Sequence, residues 1–292
     1  MRPARFAYAR PSDLGAALRL LGRGGQVLAG GQSLLPQLHR RQASPAALID
    51  VSGLAGLRYV RRDPLGQLSI GALTRHADVE RHPGPAIRSG FGVLSEAASL
   101  IAHLPVRVRG TIGGSLAHAD PTAEWCLVAV GLDARLTLRS VAGARVVPAA
   151  EFLTGAFRTD LRPGEMVTEV RFPRPAPAAA IVEHAWQAGH FPVVAAFATV
   201  DLAADGAVHT ARVAVSGLTD RPQRLSAVEE ALTRGASADR LPEAAFPPAA
   251  ADPAPGGPGP GYRSEVARAL VARAVLTAVE RARPAEGDND AL

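Results

Sequence analysis

The stretch GTIGGSLAHADPTAE, residues 110–124, places three glycines, several hydroxyl side chains and two carboxylates in fifteen positions. Glycine at that density costs backbone entropy. The main chain here must either turn very tightly or let something come close to it. A second segment has the same grammar. Ala29-Gly30-Gly31-Gln32-Ser33 follows the short apolar run Gln26-Val27-Leu28-Ala29, and Thr111-Ile112-Gly113-Gly114-Ser115 follows PVRVRG, which reads as extended. In each, paired glycines are followed within two residues by serine. Bare N–H groups in a turn form a concave nest for an anion, a serine hydroxyl adds a donor, and a following helix adds its positive end. Two such nests suit a ligand with two adjacent phosphates; the alternative is a pair of tight turns. Neither is a Walker loop, since the chain contains no lysine, and neither matches G-x-G-x-x-G.

The surrounding patterns define an α+β chain in three parts. Ser12-Asp13 cap the helical run LGAALRLL, which Gly22 stops. With strands at 26–29 and 47–51 and a possible helix at LLPQLHRR, residues 1–55 form a small α/β unit. Residues 56–175 read as a larger antiparallel-sheet α+β unit. LRYVRR pairs with QLSIGA, Thr74 caps a short helix, residues 86–102 are helical, EWCLVAVGLDA is a buried helix, ARLTLRS and ARVVPAA form a hairpin, and EMVTEVRFP is a strand. The Pro/Ala stretch 173–180 marks a boundary. Residues 176–292 form a C-terminal α+β domain, with a small antiparallel sheet around Ala204-Asp205-Gly206 and helices at 224–232 and 263–281. The segment 251–261 is too rich in Pro and Gly to fold regularly, and AEGDNDAL is a polar tail.

Composition removes several functions. The single cysteine, Cys126, excludes an internal disulfide and any cysteine-built cluster, so iron–sulfur redox chemistry would need a partner. The net charge of +5 comes from scattered arginines with only 4% aromatics, which gives no nucleic-acid platform. The eight histidines show no metal spacing, although His118 lies inside the glycine segment. No G-x-S-x-G elbow supports a hydrolase. No run reaches the roughly 18 apolar residues of a membrane span, and the N-terminal stretch lacks a secretory core. A soluble cytoplasmic protein is expected.

AGGQSLLPQL and RGTIGGSLAHADPTAE resemble the two flavin-binding segments of the FAD-carrying medium subunit of the molybdenum hydroxylases, the xanthine dehydrogenase family in its three-chain form, of the aerobic carbon monoxide dehydrogenase type. RPARFAYARPSDLGAALRLL, FLTGAFRTDLRPGEMVTEVRFP, SGLTDRPQRLSAVEEAL and YRSEVARALVARA resemble the same subunit, in order along nearly the whole chain. The resemblance implies FAD as cofactor. It places Val27, Leu28, Ala29, Gly30, Gly31, Gln32, Ser33 and Leu34 in the first turn, with main-chain N–H groups of residues 30–33 on the pyrophosphate. Thr111, Ile112, Gly113, Gly114 and Ser115 would form the second grip. Glu124 would accept from ribose hydroxyls, Asp120 is either a neighbour of that site or a turn-former before Pro121, and Ile101, Val106 and Val167 would give apolar contact.

The resemblance also implies partners: a small subunit with two [2Fe–2S] clusters and a large molybdopterin subunit, assembled as a dimer of heterotrimers. FAD would collect electrons from the clusters and pass them to an external acceptor, with no catalytic residue needed on this chain. Two departures stand out. Glu183, Gln187 and His190 occupy positions where the family usually carries lysine, arginine and aspartate, and Asp252-Pro253 lacks the further acid expected before Tyr262-Arg263. Trp186 could stack on a ring or serve a core or interface. Two other readings fit parts of the sequence: a free-standing flavin oxidase, and an assembly subunit that has lost its flavin.

Overall fold

The computed structural model describes residues 3–250 and 258–283. The start of the Pro/Gly-rich segment, including Asp252-Pro253, and the polar tail lie outside the described residues.

The first unit is α/β. Its strands are β1 (Ala7–Ala9), β2 (Gln26–Leu28) and β3 (Ala47–Asp50), in the order β1-β3-β2 with both pairs parallel. Helix α1 (Leu14–Leu21) starts where the Asp13 carboxylate accepts the Ala16 N–H at 2.8 Å. Its apolar stripe, Ala17, Leu18 and Leu21, packs on Ile49, Val51 and Met166. Gly22 ends the helix, as expected, in a right-handed conformation, and the left-handed turn follows at Gly24 (φ +94°). Helix α2 (Leu34–His39) follows the first glycine turn.

The second unit is built on a five-stranded antiparallel sheet. Strands β4 (Val60–Arg62), β5 (Leu68–Gly71), β6 (Arg135–Ser140), β7 (Gly143–Pro148) and β10 (Met166–Phe172) lie in the order β4-β5-β10-β6-β7; β8 (Leu153–Gly155) and β9 (Arg158–Thr159) form a separate ribbon. Its helices are α3 (His76–Glu80), α4 (Pro85–Arg88), α5 (Gly92–Leu100), α6 (Leu104–Arg107), α7 (Ile112–His118), α8 (Glu124–Gly131) and α9 (Ala149–Phe152). All eight residues of α8 are buried, which is why its sequence is apolar all round.

Three local expectations change here. Thr74 does not cap α3. Its hydroxyl is exchanged with the Tyr59 main chain, and the cap position falls to Arg75, whose N–H goes to the Asp78 carboxylate at 3.1 Å. The helix over 86–102 breaks at Ser89-Gly90, where Gly90 takes φ +91° against Pro175. PVRVRG is not extended: the alternating valines and arginines form the turn α6, because Arg107 folds back to donate to Ile101 O and Ala102 O while pairing with Glu80 at 2.9 Å.

The C-terminal part is an antiparallel sheet of β11 (Ala180–His184), β12 (Val194–Leu202), β13 (Val208–Ser216) and β14 (Gln223–Arg224), in that order. Helices α10 (Ser226–Thr233) and α11 (Pro260–Ala282) complete it. Small residues on the sheet, Ala196 and Ala198, meet Ala267, Val271, Ala274 and Ala278 of α11 in one core. The sheet joins the second unit where Gly131 of α8 meets the Phe197 ring. No helix among the described residues is long and apolar enough to cross a membrane.

Candidate functional site

The two glycine segments meet. A β-carbon on Gly30 would stand 2.3 Å from Arg109 O and 2.8 Å from Gly110 Cα, so only glycine permits this approach. Between them opens a cavity of about 790 Å³, bounded by both segments, α8, β10, the 157–165 loop and the 189–191 loop. That volume is in the range of small-molecule sites.

The two segments do different things. In the first, the main-chain N–H groups of Gly30, Gly31, Gln32, Ser33 and Leu34 donate to no acceptor among the described residues. Gly31 at φ +75° bends the chain, and Gln32 Nε2 donates to Gly30 O at 3.2 Å, which holds the bend. The result is an arc of unpaired donors facing a cavity. The second segment is no such nest. It is the first turn of α7, with Thr111 as its cap. Gly114 N–H goes to Thr111 Oγ1 (3.1 Å), Ile112 N–H to Thr74 O (3.1 Å), Gly113 N–H to Ala72 O (2.9 Å) and Ser115 N–H to Thr111 O (3.0 Å). Four of the five N–H groups expected here, those of Ile112 to Ser115, are thus engaged in capping and on the sheet, while Thr111 N–H has no acceptor among the described residues. What α7 offers is the Ser115 hydroxyl and a surface without side chains.

Of the residues expected at the site, Val27, Ala29, Gly30, Gly31, Gln32, Ser33, Leu34, Ile101, Val106, Thr111, Gly113, Gly114, Ser115, Asp120, Glu124 and Val167 line this one cavity. Leu28 and Ile112 do not; Ile112 is fully buried in the core beneath α7. Val167 reaches the wall at a β-bulge, where the pairing of β10 with β6 shifts between Val167 and Glu169. Asp120 Oδ1 accepts from both the N–H and the hydroxyl of Thr122 at 2.9 Å, which gives it a turn-forming role beside its place on the wall.

Glu124 opens α8 and is only 4% exposed. Burial pushes its carboxyl up to about 8, and the nearby Glu183 and Asp120 add to the rise. Glu183, on β11, is itself raised to about 7 by burial, and its Oε2 has no partner. The position where the family usually carries a lysine thus holds an acid that acts on Glu124.

Several wall residues carry no spacing signal. Phe157 has φ +56°, is 57% exposed, and gives its N–H to Ala119 O at 2.8 Å; its ring lies 5.1 Å from that of His118. A left-handed aromatic residue is strained, and such strain gathers at functional sites. Arg162 is the one arginine of the wall, and His76, His118, Glu165, His190 and Phe191 line it as well. Trp186 is not on the wall: it is 63% exposed and lies parallel to Tyr262 at 6.0 Å. Cys126 is fully buried with its thiol pushed up by burial, and no metal-binding cluster occurs among the described residues.

Comparison with known proteins gives the class. The family model described as the FAD binding domain in molybdopterin dehydrogenase matches residues 4–175, and the CO dehydrogenase flavoprotein C-terminal domain matches residues 179–278. The chain is 40% identical over 222 residues to the 6-hydroxypseudooxynicotine dehydrogenase complex subunit alpha of Paenarthrobacter nicotinovorans, covering 74% of each chain. It is 34% identical over 248 residues to the caffeine dehydrogenase subunit beta of Pseudomonas sp. (strain CBB1), covering 83% of each. Among solved structures it is similar to quinoline 2-oxidoreductase from Pseudomonas putida 86, with TM-score 0.89 and 30% identity over 97% of this chain and 99% of that one. Carbon monoxide dehydrogenase from Hydrogenophaga pseudoflava gives 0.84 and 30%, over 96% and 99%.

The chain belongs to the FAD-binding flavoprotein subunits of the molybdenum hydroxylase dehydrogenases. Its cofactor is FAD, and it is an oxidoreductase subunit.

Proposed function

We propose that this chain is the electron-transfer flavoprotein of a three-subunit molybdenum hydroxylase. It takes electrons from iron–sulfur clusters of a small partner and delivers them to an external acceptor, while a large molybdopterin subunit selects the substrate. Its full assembly is a dimer of such heterotrimers. The observation that carries the site is the arc of unpaired N–H groups from Gly30 to Leu34. These donors are half-buried on the cavity wall and free of acceptors in the fold, and a diphosphate would satisfy several at once. The residues present therefore fit a dinucleotide.

Bound FAD supplies two-electron chemistry that can be split into single-electron steps. The chain's own part is binding, orientation and shielding. Gly30 to Leu34 and the Ser115 hydroxyl hold the diphosphate; Glu124 accepts from, or when protonated donates to, a sugar hydroxyl. Ile101, Val106, Leu161 and Val167 form the apolar walls that keep water away. The single buried thiol leaves cluster chemistry to a partner.

Purification with the neighbouring gene products tests this reading. Flavin, iron and molybdenum should elute together, with about one flavin per chain, and substrate should bleach the flavin absorbance under anaerobic conditions. A chain that turns over substrate without any partner would contradict it.

A further inference from the structure

His76 and Trp125 form a buried pair that the reading above leaves unused. Trp125 lies fully buried in α8, and its indole N–H, which can only donate, goes to His76 Nδ1 at 2.9 Å. A neutral imidazole carries one proton. With Nδ1 accepting, that proton sits on Nε2. Burial, helped by the Arg107 charge, holds the imidazole down at about 4, so the ring is neutral near pH 7.

Nε2 has no acceptor among the described residues, although His76 is only 5% exposed and lies on the cavity wall. Its position is set by Gly110. A β-carbon there would stand 2.5 Å from His76 Nε2, and a β-carbon on Gly30 would stand 2.8 Å from Gly110 Cα. Gly110 thus packs against both the imidazole and the start of the arc of free N–H groups. The fixed tautomer thus presents an N–H donor without a partner in the fold at the cavity wall, where a ligand oxygen can complete the bond.

We propose that His76 is a binding residue for the dinucleotide, its tautomer fixed by Trp125 so that Nε2–H donates to an oxygen of the diphosphate. This rests on the FAD reading above. It adds a neutral imidazole N–H donor to the main-chain N–H groups and the Ser115 hydroxyl.

The test uses the full-length chain with ¹⁵N-labelled histidine, the His76 ring signals being identified by their loss in His76→Gln. At pH 7 the free chain should show Nε2 protonated and Nδ1 bare. Adding ADP or FAD should shift the Nε2–H proton and slow its exchange, whereas riboflavin alone should leave it in place. Flavin titration runs in parallel. His76→Leu should weaken FAD about 10- to 100-fold, the range for a hydrogen bond to a charged group. His76→Gln, which keeps an N–H near the Nε2 position, should recover most of that loss. Trp125→Phe should release the tautomer, giving signals from both forms. If FAD binds one to one while the Nε2–H signal stays fixed, or if riboflavin moves it as FAD does, the proposal is overturned. A wild-type chain that takes up no FAD at all would overturn the cofactor site itself, a separate and visible failure.

Discussion

Gly30 and Arg109 stand so close that a β-carbon on the first would lie 2.3 Å from the carbonyl oxygen of the second. This contact, 79 residues apart in sequence, brings two similar motifs to one cavity. Gly30→Ala should push the segments apart. Overpacking of this kind costs about 1–3 kcal/mol, so a lower melting temperature and at least tenfold weaker FAD binding are expected. Gly92→Ala is the control. Its β-carbon meets nothing within 4 Å in α5, and stabilisation of about 0.4–1 kcal/mol is expected.

Glu124 gives a pH signature. Its carboxyl is raised from 4.5 to about 8 in the folded chain, so the fold favours the neutral form. That contribution is fully present below 4.5 and is lost as pH rises through about 8. Denaturant melts of the FAD-free chain should show stability falling from about pH 6.5 to pH 9, by an amount on the order of a few kcal/mol; below pH 6.5 the buried His76, held down at about 4, contributes in the opposite sense. Glu124→Gln should flatten most of this slope. Glu183, raised to about 7, should account for part of what remains.

Phe157 separates binding from stability. Glycine at this position relieves the left-handed strain at φ +56° and removes an exposed ring from the cavity wall. Phe157→Gly should leave the melting temperature unchanged or raised, while FAD binds several-fold more weakly by flavin fluorescence. Equal FAD affinity in both proteins would mean that the ring serves something other than the cofactor.

Gly131 tests the join between the second unit and the C-terminal sheet. Its β-carbon would meet Phe197 Cδ1 at 2.3 Å, with both residues fully enclosed. Gly131→Val should cost more than about 2 kcal/mol in chemical denaturation, because neither α8 nor the ring has room to move.

The sequence made some of these features legible and hid others, for physical reasons. The capped helix α1, the hairpin β6–β7 and the buried helix α8 each follow from one local pattern, and each forms where it was expected. The two glycine segments were equally visible, yet their likeness concealed a difference. Whether a main-chain N–H is free depends on Ala72 O and Thr74 O, which lie far from α7 in sequence. PVRVRG misled because alternation usually marks a strand, whereas here one arginine turns back on the carbonyls before it. His76 and Phe157 carry no spacing signal. One is defined by a tryptophan 49 residues away and the other by a strained torsion angle. Strand β11 was not signalled either, since its run from Ala180 to His184 is too short and mixed to alternate clearly.

Amide hydrogen exchange with and without FAD tests the central claim most directly. In the free chain, the amides of Ile112 to Ser115 should already be protected by their partners in the fold, while those of Gly30 to Leu34 exchange fast. Saturating FAD should protect Gly30 to Leu34 strongly and change Ile112 to Ser115 little. Fast exchange at Gly30 to Leu34 in a chain carrying one FAD would contradict the account, because the diphosphate would then be held elsewhere.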